Sequence, residues 1–572
     1  MATIKVCTVL PHFSRRVYNA HGVGKSWWLM NAVDWSVVVV YLVGMIGLSW
    51  HLGRKQADAK DYYLGGNNLS WWSVGISTMA TQCSTNSLLG APAFVITTGL
   101  IWIQYEFALP LAMVFIMIFL IPFYRKLNLV SVYAYQERRF GRSARTMLSI
   151  TFQFLRAFAT GVTVYGISIV LQSIVGIPFA LSVLILGVVT VIYDMLGGMA
   201  AVVLSDVIQM VILYLGIALC VVYSVSAVGG VSEVFTQFSS LGTIIGSESF
   251  VGLQTVDFSG TGFTADTQYG FWPMLLGGLF LYVSYYGTDQ TQVQRELSSK
   301  DIDDTNRSLM LNGMMRFPLV ATYCFLGVCI GAYIVKNPEF LLLLNEGGEP
   351  NYNLAVPKFV TTVLPHGVIG LVMVALFSAA MSSLDSTINS LSAATIKDLY
   401  EPFVQKGEIP ADKQLMLSRF FTVFWGTLIV IFSFFVGNIS NSVIESVNKV
   451  GSLANGPILA MFLLGILTRY GNEKGAISGL VAGLAGNALV WKFAPDVSWL
   501  WWNVLGFFVA FGVGTVVSKL TGGTTKDLTG LVWYRGVAKE FDYEVNWPKR
   551  YAIMVAYSGG MVVLCVGLSG WL

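Results

Sequence analysis

Ser77-Thr-Met-Ala-Thr-Gln-Cys-Ser-Thr-Asn-Ser-Leu-Leu-Gly-Ala-Pro92 lies inside an apolar run spanning about residues 69–96. Its polar block, Thr81 to Ser87, interrupts what would otherwise be one membrane-length helix. Lipid offers the backbone no hydrogen-bond partners, so irregular chain at that depth is tolerated only where it is buried in protein or lines a cavity. The competing reading is a continuous helix that is merely polar along a packing seam. The run 271–291 repeats the theme, with Gly277, Gly278, Ser284 and Gly287 around Tyr282, Tyr285 and Tyr286. Two discontinuous helices, first and sixth in successive five-helix units, point to a transporter built from inverted repeats.

The rest of the chain has the composition of a lipid-embedded protein. Of 572 residues, 55% are hydrophobic and 11% charged, a balance outside that of soluble domains. Apolar runs of helix-spanning length recur, far longer than the strands of a barrel. Fourteen spans are expected, from 33–52 to 551–571, in an all-α polytopic membrane protein. Residues 1–31 form an N-terminal extension of unknown role, 32–470 a transporter region, and 471–572 three additional C-terminal helices, all in one membrane domain. Loops on one alternate side carry most of the 34 Lys and Arg, which places both termini outside a plasma membrane. The net charge of +3 resides in those loops and carries no argument for nucleic acid. The six cysteines form no CxxC pair, which speaks against a disulfide framework or a zinc site. The partners expected are a small solute and the bilayer, with no obligate protein partner.

Within the apolar run Val368 to Ala394 stands Ala379-Ala-Met-Ser-Ser-Leu-Asp-Ser386. On a helix Ala379, Ser382, Ser383 and Ser386 share one face, with Asp385 beside it. That face suits a small cation, or it packs closely against a neighbour through serines bonded to their own helix. A carboxylate in a span costs roughly 2.5–3.5 kcal/mol on insertion scales, so Asp385 is expected to have a functional partner.

Five motifs in order give the chain a family resemblance: Asp61-Tyr-Tyr-Leu-Gly-Gly66, Glu137-Arg-Arg-Phe-Gly141, Gly197 to Gln209 around Asp206, Gln290-Thr-Gln-Val-Gln-Arg295, and Ser382-Ser-Leu-Asp-Ser386 followed by Lys397-Asp-Leu-Tyr400. The chain resembles the sodium/solute symporter family from about Asp34 onward. This resemblance implies a LeuT-like core of two inverted five-helix repeats, with broken first and sixth core helices, one leading helix and three trailing ones. It implies sodium as the coupling ion, no other cofactor, and no enzymatic activity.

Carried over residue by residue, the resemblance implies a first sodium site made by the carbonyls of Ala80, Cys83 and Ala379 and the hydroxyls of Ser382 and Ser383. Members with a second cation site imply a second set at Asp206, Asp385 and Ser386. Asp385 stands where the sialic-acid symporters have serine, which leaves three roles open: second sodium ligand, proton carrier, or structural partner of an Arg or Lys. Tyr105, Glu106 and Tyr285 match the galactose-carrying members as gate and polar contact. Ser87, Leu109, Tyr282, Arg316 and Asn448 depart from them, which puts a galactose-like solute in doubt. Arg156 stands where the sialic-acid symporters hold their substrate's carboxylate, and Ser84 and Ser87 match their small hydroxyl positions. A guanidinium facing a cavity predicts an organic anion; the alternatives are pairing with Glu106 or a helix end, or snorkelling toward the cytoplasm. The expected function is sodium-coupled import of a small, carboxylate-bearing solute, with a sugar or other neutral solute, or a non-transporting sensor, as alternatives.

An enzyme is not supported. Gly22-Val-Gly-Lys-Ser26 resembles a phosphate loop only superficially, because Asn19 stands where the first glycine belongs and no strand precedes it. His12, His21, His51 and His366 are too scattered to hold a metal.

Overall fold

The computed structural model describes residues 30–571 except 55, 57, 248, 347–348, 408, 436–442, 525 and 535, so nearly all of the N-terminal extension lies outside the described residues. Helix α1 (Ala32–Gly53) opens with a capping box: Asn31 accepts from the Val33 and Asp34 amides, and the Asp34 carboxylate accepts from the Asn31 amide.

The polar block breaks its helix as expected. α2 (Trp71–Gln82) stops at Cys83, whose φ of −79° and ψ of 63° leave helical space, and α3 (Thr85–Thr98) resumes the climb. A 3₁₀ stretch, Leu100–Phe107, then feeds α4 (Ala108–Phe119), and α5 (Arg142–Val175) follows. α6 (Phe179–Val228) has 50 residues, about 75 Å if straight, more than twice the thickness of a bilayer core. It bends at Gly198, at φ 53° and ψ −159°. A Cβ there would stand 2.6 Å from the Tyr62 carbonyl oxygen, so only glycine fits both the angle and the space.

The second discontinuity departs from expectation. Around Gly277 and Gly278 the chain keeps winding, as a π-turn over Pro273–Gly277 that leads into α7 (Gly278–Thr288). Those glycines serve packing: a Cβ on Gly277 would lie 2.5 Å from the Leu500 carbonyl oxygen. The break falls at Asp289, extended at φ −84° and ψ 126°, whose carboxylate caps α8 (Gln290–Glu296) by accepting from the Thr291 amide at 2.8 Å.

The remaining long helices are α9 (Ile302–Lys336), α10 (Val368–Ala394), α11 (Ala411–Phe435), α12 (Val443–Leu467), α13 (Glu473–Phe493), α14 (Trp499–Leu520) and α15 (Trp547–Trp571). Among the described residues eleven helices are long and apolar enough to cross a membrane. The expected fourteen differ for two physical reasons. The runs 69–96 and 271–291 are divided into shorter pieces at their breaks, and the runs 178–196 and 200–228 are continuous through the Gly198 bend.

α10 is the hub, packed by α1, α2, α5, α6 and α11 and buried along nearly its whole length. Outer helices turn aliphatic faces outward: Val40 and Val43 of α1, Val211 and Val222 of α6 and Val563 of α15 are all more than half exposed. Such an apolar outer surface suits a lipid solvent.

Candidate cation and solute sites at the broken helices

The last carbonyls of a helix have no partner within it. At the end of α2, two of them are met by the serines of α10. Ser382 Oγ lies 3.3 Å from the Ala80 carbonyl oxygen and 3.3 Å from that of Ala379. Ser383 Oγ donates to the Thr81 carbonyl at 3.1 Å. Ala80, Ala379 and Ser382 therefore converge, with Ser383 beside them on the neighbouring carbonyl. Cys83 stands at the break itself, and its buried thiol accepts from Arg316 Nη1 at 2.8 Å. Hard, uncharged oxygens grouped this way fit a monovalent hard cation that must also be released.

Further along α10, Asp206, Asp385 and Ser386 are joined in one buried network of hydrogen bonds and an ion pair. Asp385 accepts from the Ser386 hydroxyl at 3.0 Å and from the Tyr193 hydroxyl. Asp206 accepts from Ser77 Oγ at 2.5 Å and faces the guanidinium of Arg295 at 3.7 Å. Arg295, on α8, also donates to Ser386 Oγ, to Thr81 Oγ1 and to the Ser77 carbonyl. Arg295 thus pairs with Asp206, while Asp385 is held by the Tyr193 hydroxyl.

Between α3, α5, α7 and α12 lies a cavity of about 190 Å³ lined by Ser84, Ser87, Tyr105, Glu106, Arg156, Tyr285 and Asn448 among others. Tyr282 sits behind the wall: it is fully buried, its hydroxyl donates to Glu106 Oε1 at 3.1 Å, and its ring lies tilted at 4.9 Å from that of Tyr105. Arg156 forms an ion pair with Asp289, and its guanidinium carbon lies 5.1 Å from the Tyr285 ring centre. Glu106, the partner considered for it, instead faces Arg316 Nε at 3.6 Å, with both side chains buried. Each ion pair carries no net charge, so the cavity has two arginines without a net positive field.

Asp289, Tyr193 and Arg295 are the participants sequence reasoning did not assign. For Asp289 a signal was present, an acid directly before a helix-starting polar run, the pattern of an N-cap.

Residues 62–483 match the sodium:solute symporter family. The chain belongs to that family. This symporter is 28% identical over 493 residues to the sodium/sialic acid symporter of Aliivibrio fischeri, covering 85% of this chain and 93% of that protein. It is also 28% identical over 484 residues to the sodium/glucose cotransporter of Vibrio parahaemolyticus, covering 82% and 86%. A solved structure of a Na+-coupled sialic acid symporter, substrate-bound and outward-open, matches the fold with a TM-score of 0.76 at 25% identity, covering 86% of this chain and 99% of that one. The chain is therefore a multi-pass, sodium-coupled solute symporter of LeuT-like fold and not an enzyme.

Proposed function

We propose that this symporter imports a small carboxylate-bearing solute, held in the cavity by Arg156 with Ser84 and Ser87, and coupled to sodium at Ala80, Cys83, Ala379, Ser382 and Ser383. One observation carries the choice: a permanently charged guanidinium lines a cavity inside a membrane protein that Ser84 and Ser87 also line. A carboxylate is the ligand whose geometry a guanidinium matches.

Transport then follows alternating access. Sodium entering between α2 and α10 ties the broken helix to the hub and favours the solute-competent outward state. The solute closes the outer side over Tyr105 and Asn448; inward release follows when Tyr285 yields. Each sodium moving down 100 mV and a tenfold gradient releases about 3.7 kcal/mol, enough for several hundredfold accumulation of a neutral solute. The proposal includes fourteen spans, counting both broken helices and both arms of α6, in two inverted five-helix repeats with one leading and three trailing helices. Both termini then face outside a plasma membrane. Asp206, Asp385 and Ser386 form the proposed second cation or proton site, at which a sodium competes with Arg295 for Asp206 and Ser386.

A second reading, import of a sugar or other neutral solute, is favoured by one observation: Arg156 already has a carboxylate partner in Asp289. Uptake into proteoliposomes separates the two. With an inward sodium gradient, sialic acid or lactate is expected to accumulate and glucose is not, and Arg156→Gln is expected to abolish saturable carboxylate uptake. Accumulation of glucose, with an unchanged KM in Arg156→Gln, supports the neutral-solute reading. Absence of uptake for every solute, with sodium binding retained, indicates a sensor.

A further inference from the structure

Asp289 divides its carboxylate between two duties. One oxygen caps α8 through the Thr291 amide, and the other bonds the guanidinium of Arg156. Arg156 uses only Nη2 for this contact, so most of its five N–H donors are left over, and a second carboxylate has the donors it needs to dock in a bidentate manner. Both side chains line the solute cavity and are part-exposed to it, at 20% and 16%. Asp289 is also the extended residue that separates α7 from α8. Its bond to Arg156 is therefore a tie between α5 and the discontinuity of the second broken helix.

We propose that Asp289 is the resident counter-ion of Arg156, displaced by the incoming solute carboxylate, and so the residue that sets anion affinity and links solute binding to the α7–α8 break. This rests on Arg156 being the carboxylate contact. Displacement exchanges one charge-assisted hydrogen bond for another, so the solute meets a preformed cation without leaving a bare guanidinium in the empty protein. The internal carboxylate lowers apparent affinity by the fraction of time it occupies Arg156. By linkage, whatever loosens the α7–α8 break also favours the solute.

Asp289→Asn isolates the charge, because asparagine caps a helix as well as aspartate does; Asp289→Ser is a second uncharged cap. The full-length protein, purified in detergent with sodium chloride, is titrated with sialic acid, with lactate and with the methyl ester of each while its thermal midpoint is recorded. Both Asp289 variants are expected to reach half-maximal stabilisation by at least one acid at about tenfold lower concentration than the parent, with the esters without effect. Arg156→Gln is expected to lose the response to the acids. Equal or weaker acid binding in both Asp289 variants, with Arg156→Gln silent, overturns the counter-ion role and leaves Arg156 as the carboxylate contact. A parent-like acid response in Arg156→Gln overturns both. So does the absence of any acid response in the parent and in both Asp289 variants alike.

Discussion

Arg295 and Asp206 face each other at 3.7 Å with neither side chain exposed to solvent. The pair joins α8 to α6, and Arg295 extends the link to α2 through Thr81 and to α10 through Ser386. Removing one member leaves a buried charge without compensation, which costs about 3–5 kcal/mol, whereas removing both costs much less. Asp206→Asn is expected to lower the thermal midpoint in detergent sharply, and Asp206→Asn/Arg295→Gln to recover much of that loss. Additive losses in the double-mutant cycle would show that the two side chains are not coupled.

Gly198 is the non-helical residue at which the 50-residue α6 bends. Any other residue meets both a left-handed φ and the Tyr62 carbonyl. Gly198→Ala is expected to cost at least about 1–3 kcal/mol and to lower the yield of folded protein. Gly512→Ala, where a Cβ meets nothing within 4 Å, is the control and is expected to leave the midpoint unchanged. Equal behaviour of the two variants would remove the bend from the list of constraints.

Glu137 forms ion pairs with Arg145 and Arg142 at the start of α5. Burial works against ionisation of Glu137, but the hydrogen bond and charge of Arg145, with Arg142 beside it, hold its carboxyl below its ordinary 4.5. A carboxyl depressed by folding contributes stability above its unfolded pKa and loses that contribution as pH falls through the folded value. Thermal midpoints are therefore expected to fall as pH drops below about 4.5, with a shallower fall in Glu137→Gln. Identical acid profiles for the two proteins would mean that Glu137 adds nothing.

How much of this was legible in the chain differs from residue to residue. The first break is readable because Thr81 to Ser87 is polar within an apolar run, and Ser382 and Ser383 because helical spacing puts them on one face. The second break leaves only a faint mark, an acid placed directly before a polar helix start. Its glycines, at 277 and 278, serve close packing, and the break itself depends on the capping role of a single acid, Asp289. Arg295 and Arg139 look like loop-side bases in the sequence. In the fold both are fully buried; Arg139 donates to the carbonyls of Gly465, Thr468 and Gly471. Which carbonyl or carboxylate receives a long basic side chain is decided by helices far apart in sequence, and spacing along one chain carries no record of it. The seven predicted solute-site residues that line the cavity come from five separate segments, and their convergence rests on the family resemblance rather than on periodicity.

The most direct test of the sodium site is the sodium dependence of uptake by the reconstituted protein, using a solute that it accumulates, in the parent and in Ser382→Ala, Ser383→Ala and the double variant. Saturable activation by external sodium is predicted for the parent, with half-activation shifted at least about tenfold upward in each single variant, the size expected when a ligand oxygen worth roughly 1.4 kcal/mol is lost, and no activation in the double variant. Parent-like sodium activation in the double variant would contradict the placement of the coupling ion between α2 and α10.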